Sequence, residues 1–118
     1  MNRIVIALAF LFLACSTSFA QDDYYIRKAE EYTREAEYYQ RKANEYRRDA
    51  QYYIDKAAHY DREASYYLNR GDTSRAQTNQ RYAKDERDRA DLRLRWAREA
   101  DDKAAMYLRW ASDALSHR

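Results

Sequence analysis

Small and large apolar residues keep strict time along the first half of the chain. Alanine stands at Ala29, Ala36, Ala43, Ala50, Ala57 and Ala64, and tyrosine at Tyr25, Tyr32, Tyr39, Tyr46, Tyr53, Tyr60 and Tyr67. Both series advance by seven, and polar residues fill most of the places between. Each tyrosine up to Tyr60 is followed by an alanine four residues on, and each alanine by a tyrosine three residues on. A 4–3 alternation is the seam of a coiled coil, with alanine at one core position and tyrosine at the other. Timing by sevens gives 3.5 residues per turn, below the natural 3.6, so the helices are expected to wind left-handed about each other. Alanine lets two backbones approach closely. Tyrosine buries its ring and keeps its hydroxyl at the edge.

A second tyrosine series, Tyr24, Tyr38, Tyr52 and Tyr66, returns every fourteen residues. The repeating unit is therefore two heptads: YYIRKAEEYTREAE, YYQRKANEYRRDAQ and YYIDKAAHYDREAS, with a fourth copy that stops at Gly71. Gly71 suits the left-handed position just past a helix end. Asp72, Thr73 or Ser74 can cap the helix that follows. The alanine beat then resumes at Ala76, Ala83, Ala90, Ala97, Ala104 and Ala111, with aromatics at Tyr82, Trp96 and Trp110 and with Leu94, Leu108 and Leu115 widening the stripe. Trp96 and Trp110 are read as the seam partners of the second segment.

The pattern predicts an all-α chain with one helix over about 22–70, a turn at about 71–73 and a second helix over about 74–116. Each helix would be on the order of 65–75 Å long at 1.5 Å per residue. The short turn favours an antiparallel coiled-coil hairpin over a continuous rod kinked at Gly71.

Residues 1–20 follow a different pattern. Arg3 precedes an unbroken apolar run from Ile4 to Ala14, and Ser18-Phe19-Ala20 places small residues three and one positions before a cut. This is the layout of a secretory signal peptide, too short to span a membrane stably. Cleavage after Ala20 is expected to leave a domain over 21–118 that is exported, periplasmic or secreted. The alternative uses Phe12-Leu13-Ala14-Cys15 as a lipoprotein box, with Cys15 lipidated and the protein anchored to a membrane. Cys15 is the one cysteine, so no disulfide framework is expected.

Composition sharpens the picture in two ways. The chain of 118 residues has no proline and a single glycine, so helix breakers are nearly absent. Beyond residue 20 valine is missing and leucine and isoleucine are scarce, which leaves alanine and tyrosine to supply most of the apolar surface. Burying a large side chain contributes roughly 1.5–3 kcal/mol and a methyl under about 1. One ring and one methyl per heptad make a thin core, thinner still where Glu86, Arg87, Arg89 and Arg93 interrupt the second segment. Self-association or a partner helix is therefore expected, with the Tyr24 series facing it. The charges alternate in sign around a net +2, which argues against nucleic acid as a partner.

Candidate chemistry is sparse. His59 and Glu63 stand one turn apart, but two ligands make a poor metal site. There is no glycine-rich phosphate loop and no cysteine–histidine nucleophile. The carboxylates lie among arginines, which suits them poorly to acid catalysis. No catalytic residue, cofactor or metal is expected. Arg34/Tyr38, Arg48/Tyr52 and Arg62/Tyr66, each four apart, place an arginine within reach of a ring, and the opposite charges Asp85/Arg89, Arg87/Asp91 and Asp91/Arg95 form a ladder on the second segment.

The turn Arg70-Gly71-Asp72 with Ala76, Ala83 and Asp85 behind it resembles a family of small alanine-rich exported bacterial helical-hairpin proteins, often lipoproteins, that carry a domain of unknown function. The likeness covers residues 68–105; the tyrosine repeats and the missing prolines depart from it. It implies a cell-envelope location and a structural or tethering role, and supplies no functional residues. The sequence thus points to an exported envelope protein that acts by coiled-coil self-association or by docking on a partner helix. The alternative is a binding module for an anionic envelope surface, lipid or glycan, through the Arg/Tyr strip.

Overall fold

A computed structural model describes residues 20–117 of the chain. Two helices account for nearly all of them: α1, Ala20–Asn69, and α2, Thr73–Ser116. The expected signal peptide and the lipidation site at Cys15 lie outside the described residues.

The turn shows why α1 stops and α2 starts where they do. Gly71 has a φ of 77°, and its N–H donates to the Leu68 carbonyl at 3.0 Å while the Asp72 N–H donates to the Tyr67 carbonyl at 2.9 Å. These are the paired bonds of a Schellman cap, which satisfy carbonyls that a helix end leaves open. Asp72 closes one helix and opens the next. Its carbonyl accepts from the Ala76 N–H at 3.1 Å, and its Oδ1 accepts from the Arg75 N–H at 3.1 Å, the bond of an N-cap. Of the three candidate caps, Asp72 is the one used.

A Cβ on Gly71 would meet nothing within 4 Å, so substitution there costs only backbone strain. Gly71→Ala is expected to destabilise the protein by about 1–2 kcal/mol, and Gly71→Asn by less, because asparagine tolerates the left-handed region. Thermal unfolding followed by circular dichroism checks the order of the two.

The chain forms two compact units, one of residues 20–43 with 99–117, the other Asn44–Arg98. Each is an antiparallel pair of helix segments held on alanine. In the first, Ala29, Ala36, Ala104, Leu108, Ala111 and Leu115 form the buried cluster, with Ile26, Tyr32, Tyr39, Tyr107 and Ala114 packed around it. In the second, Ala50, Ala57, Ala64, Ala76, Ala83, Ala90 and Ala97 are buried. Every alanine on the seven-residue beat, in either unit, is at most 4% exposed. No large side chain is fully buried among the described residues, so the alanine methyls are the most deeply buried part of the core, with Leu108 and Leu115 beside them in the first unit.

On either side of that column lie residues three and four positions after each alanine. On α1 the first set is the tyrosine series; the second includes Thr33 and Gln40, both buried. The Thr33 hydroxyl donates to the Ala29 carbonyl at 2.8 Å, the usual way a helix satisfies a buried hydroxyl. The Gln40 Nε2 has no hydrogen-bond partner. A buried donor left open costs about 1–3 kcal/mol. Gln40→Met keeps the volume and removes the donor, and is expected to raise stability by about 1 kcal/mol in urea denaturation.

Candidate functional site: the tyrosine flank

The tyrosine side of the alanine seam is where most of the aromatic residues gather. All seven seam tyrosines, Tyr25 to Tyr67, are half-buried. Their partners across the hairpin come from the α2 positions just before each alanine, Arg75, Tyr82, Arg89, Trp96, Lys103 and Trp110, which alternate in kind, and from His117 just past the helix end. Aromatic and cationic residues take turns, which explains why the aromatics of α2 recur every fourteen residues and not every seven.

Within the first unit, Trp110 meets Tyr32 edge-on with ring centroids 5.6 Å apart, Lys103 Nζ lies 5.2 Å from the Tyr39 ring centre, and His117 lies tilted against Tyr25 at 5.6 Å. Within the second, Trp96 meets Tyr46 at 5.5 Å, Tyr82 meets Tyr60 at 5.3 Å, and the Arg75 guanidinium lies 5.6 Å from the Tyr67 ring centre. Within each unit the two residue numbers of every such pair add to the same total, as an antiparallel register requires. Arg89 is the exception. It turns to Glu86, and Arg93, one turn along, lies over both Tyr53 at 5.4 Å and Trp96 at 4.6 Å.

The seam tyrosines that face a cation or His117 are those with a second tyrosine just before them. Tyr24, Tyr38, Tyr52 and Tyr66 stand edge-on to Tyr25, Tyr39, Tyr53 and Tyr67 at 5.1–5.3 Å. Each seam tyrosine thus has at least one edge-on or tilted aromatic neighbour: Tyr25, Tyr39, Tyr53 and Tyr67 find it on α1 itself, and Tyr32, Tyr46 and Tyr60 on α2. Such a pair contributes about 0.5–1.5 kcal/mol beyond its buried area, and an exposed cation over a ring about 0.5–1. Per heptad that matches what a buried methyl supplies, so the flank holds the helices together as much as the seam does.

Several sequence expectations meet a different geometry. The cation over each outer tyrosine is not Arg34, Arg48 or Arg62 but the residue four positions later: Lys28 over Tyr24 (5.9 Å), Lys42 over Tyr38 (5.8 Å), Lys56 over Tyr52 (5.4 Å) and Arg70 over Tyr66 (4.5 Å). Helical side chains lean toward the N-terminus, so a long cation reaches back over the ring one turn before it. The charge ladder on α2 is rearranged by the same crowding: Arg89 bonds Glu86 at 2.8 Å instead of Asp85, and Arg87 crosses to Asp61 at 2.8 Å instead of reaching Asp91. Trp110 is 42% exposed and Trp96 half-buried; both flank the seam, one position before its alanines.

The residues that occupy the true counterpart of the tyrosine series on α2 are Asn79, Glu86, Arg93, Ala100, Tyr107 and Ala114, three after each alanine. Tyr107 is the most connected. It stacks on Tyr39 at 5.8 Å, meets Trp110 edge-on at 5.3 Å and lies 6.2 Å from Tyr32. Glu86 is only 5% exposed; its Oε1 accepts from Arg89 and lies 3.7 Å from Lys56 Nζ, while its Oε2 has no hydrogen bond. A buried, partly paired carboxylate adds little stability but penalises any slip that would remove its cations.

His59 is exposed with its ring 5.5 Å from Tyr60, and among the described residues no three His, Cys, Asp or Glu side chains gather as a metal site would require. None of the described helices is long and apolar enough to cross a membrane. The fold and its flank define a two-helix hairpin with an alanine seam and an aromatic rim. No family model, no curated protein and no solved structure matches the chain.

Proposed function

We propose that the chain is a non-catalytic, exported protein of the cell envelope that works by helical association, with a second copy as its first partner. One observation carries this reading. The alanine seam is closed inside the hairpin, yet Tyr24, Tyr38, Tyr52 and Tyr66 keep 45–58% of their surface exposed, alongside Tyr82 and Trp110. Each unit thus leaves three large rings open, more than a monomer's surface ordinarily calls for, and tyrosine is enriched at interface cores. Export rests on the layout of residues 1–20, and the non-catalytic reading on a sequence with no glycine-rich phosphate loop, no cysteine–histidine nucleophile and only the His59/Glu63 pair as metal ligands.

Sedimentation of the chain from Gln21 onward tests it. Association is expected in the micromolar range, weakened at least tenfold by Tyr38→Ser with Tyr52→Ser, both exposed, with circular dichroism confirming that the double variant stays helical. A helical monomer at all concentrations would overturn self-association. Recovery of one stoichiometric helical partner by cross-linking in the cell would move the reading to partner docking. The anionic-surface alternative has exposed Arg34, Arg48 and Arg62 in its favour; it predicts flotation with anionic vesicles that disappears as salt is raised.

A further inference from the structure

The flank shows what its rings accept. Among the seam tyrosines paired with an outer tyrosine, Tyr39, Tyr53 and Tyr67 each carry a lysine or arginine of α2 over the ring. Tyr25 is the fourth of this set and, among the described residues, carries none. His117 holds the register position instead, its Nδ1 within 2.8 Å of the Asp113 carbonyl, and no α2 lysine or arginine lies over Tyr25. At this place the first unit opens a cleft of about 380 Å³, lined by Tyr24, Tyr25, Tyr32 and Trp110 with Lys28 and Asp113 at its polar parts. Lys28 is already committed. It pairs with Glu31 at 3.4 Å, which holds its ammonium above the ordinary lysine value, and it lies on the Tyr24 ring. The Asp113 carboxylate has no ion pair among the described residues; only its backbone carbonyl is engaged, by Ser116 and His117.

We propose that this cleft binds a small organic ammonium ion from outside the chain, its charge over the faces of Tyr25 and Trp110 and balanced by Asp113. Beside His117, the ligand supplies at Tyr25 the charge that Lys103, Arg93 and Arg75 supply at the other three rings. Aromatic faces attract a cation electrostatically, and weakly hydrated quaternary ammonium groups lose least on leaving water. The site stands on the geometry of the first unit alone; because Tyr24 and Trp110 also belong to the exposed rings offered for association, the titration is run at protein concentrations below those at which the chain associates.

The test uses the purified protein with Trp96→Phe, which leaves Trp110 as the sole indole. Choline is titrated at constant ionic strength against dimethylbutanol, which has the same shape without the charge. Trp110 emission is expected to change saturably with choline, with a dissociation constant in the millimolar range, and not with the alcohol. Asp113→Asn should weaken binding several-fold. His117→Arg supplies the missing cation from the chain itself and should abolish the response while circular dichroism stays unchanged. Saturation-transfer NMR from tyrosine rings to choline methyls on the unsubstituted protein gives the same answer without relying on Trp96→Phe. A missing saturable response, an equal response to the alcohol, or full binding by His117→Arg would each overturn the proposal.

Discussion

Ala36→Glu is expected to abolish most of the helical circular dichroism at room temperature. Ala36 is completely buried, in the cluster with Ala29, Ala104 and Leu108. A glutamate there puts an unpaired carboxylate where no cation or water reaches it, at a cost of several kcal/mol. Its added atoms also push the two helices apart, which costs about 1–3 kcal/mol more. Together these exceed about 5 kcal/mol, the lower end of the stability of an ordinary domain, and a hairpin with no fully buried large side chain has little in reserve. Ala36→Gly serves as the control, with an expected loss of about 1 kcal/mol and retained helix. The same reasoning applies to glutamate at Ala43 or Ala57. Both are buried within the hairpin, so those substitutions test the fold, and the outer tyrosines are the residues that test assembly.

Tyr107→Ala is expected to cost about 3 kcal/mol, because the loss of its ring opens a void among Tyr32, Tyr39 and Trp110 and removes three aromatic contacts at once. Tyr52→Ala removes a ring of the same size that is 58% exposed and touches Tyr53 and the Lys56 ammonium. Its expected cost is about 0.5–1 kcal/mol. Urea denaturation of the two variants side by side measures the difference. Equal losses would mean that the aromatic cluster of the first unit is not formed.

Most of α1 can be read from its sequence, because alanine and tyrosine each keep a period of seven and no other residue type competes for those places. The turn is equally legible, since Gly71 is the one residue able to take its conformation without strain. The flank of α2 is not. Four of its six positions opposite the tyrosine series hold Asn79, Glu86, Arg93 and Ala100, which carry no hydrophobic period, so the eye settles on Trp96 and Trp110, one place before the alanines. Counting three on from Ala104 would have found Tyr107. The alternation of aromatic and cationic partners was hidden for a different reason. It exists only between helices, and the lysines and arginines of α2 look like a solvated face until the antiparallel register sets Lys103 against Tyr39 and Arg75 against Tyr67. The pairing direction on α1 was legible in principle, from the lean of helical side chains toward the N-terminus, which favours Lys42 over Arg34 as the partner of Tyr38.

Glu86 shows how polar residues serve the same register. The open Oε2 costs stability, and Lys56 and Arg89 recover only part of it. A shift of α2 by one heptad would bring this carboxylate to other neighbours and would set arginine and lysine where Tyr46 and Tyr32 now meet indoles. The two-heptad repeat therefore permits slips of fourteen residues at the flank, and the buried carboxylate disfavours those.

Nuclear Overhauser contacts from the two indoles measure that register directly in protein with labelled tryptophan and tyrosine. Cross-peaks from Trp110 to Tyr32 and from Trp96 to Tyr46 are the expected result. Contacts from Trp110 to Tyr46 or from Trp96 to Tyr60, or no contact from either indole to a tyrosine of α1, would contradict the account.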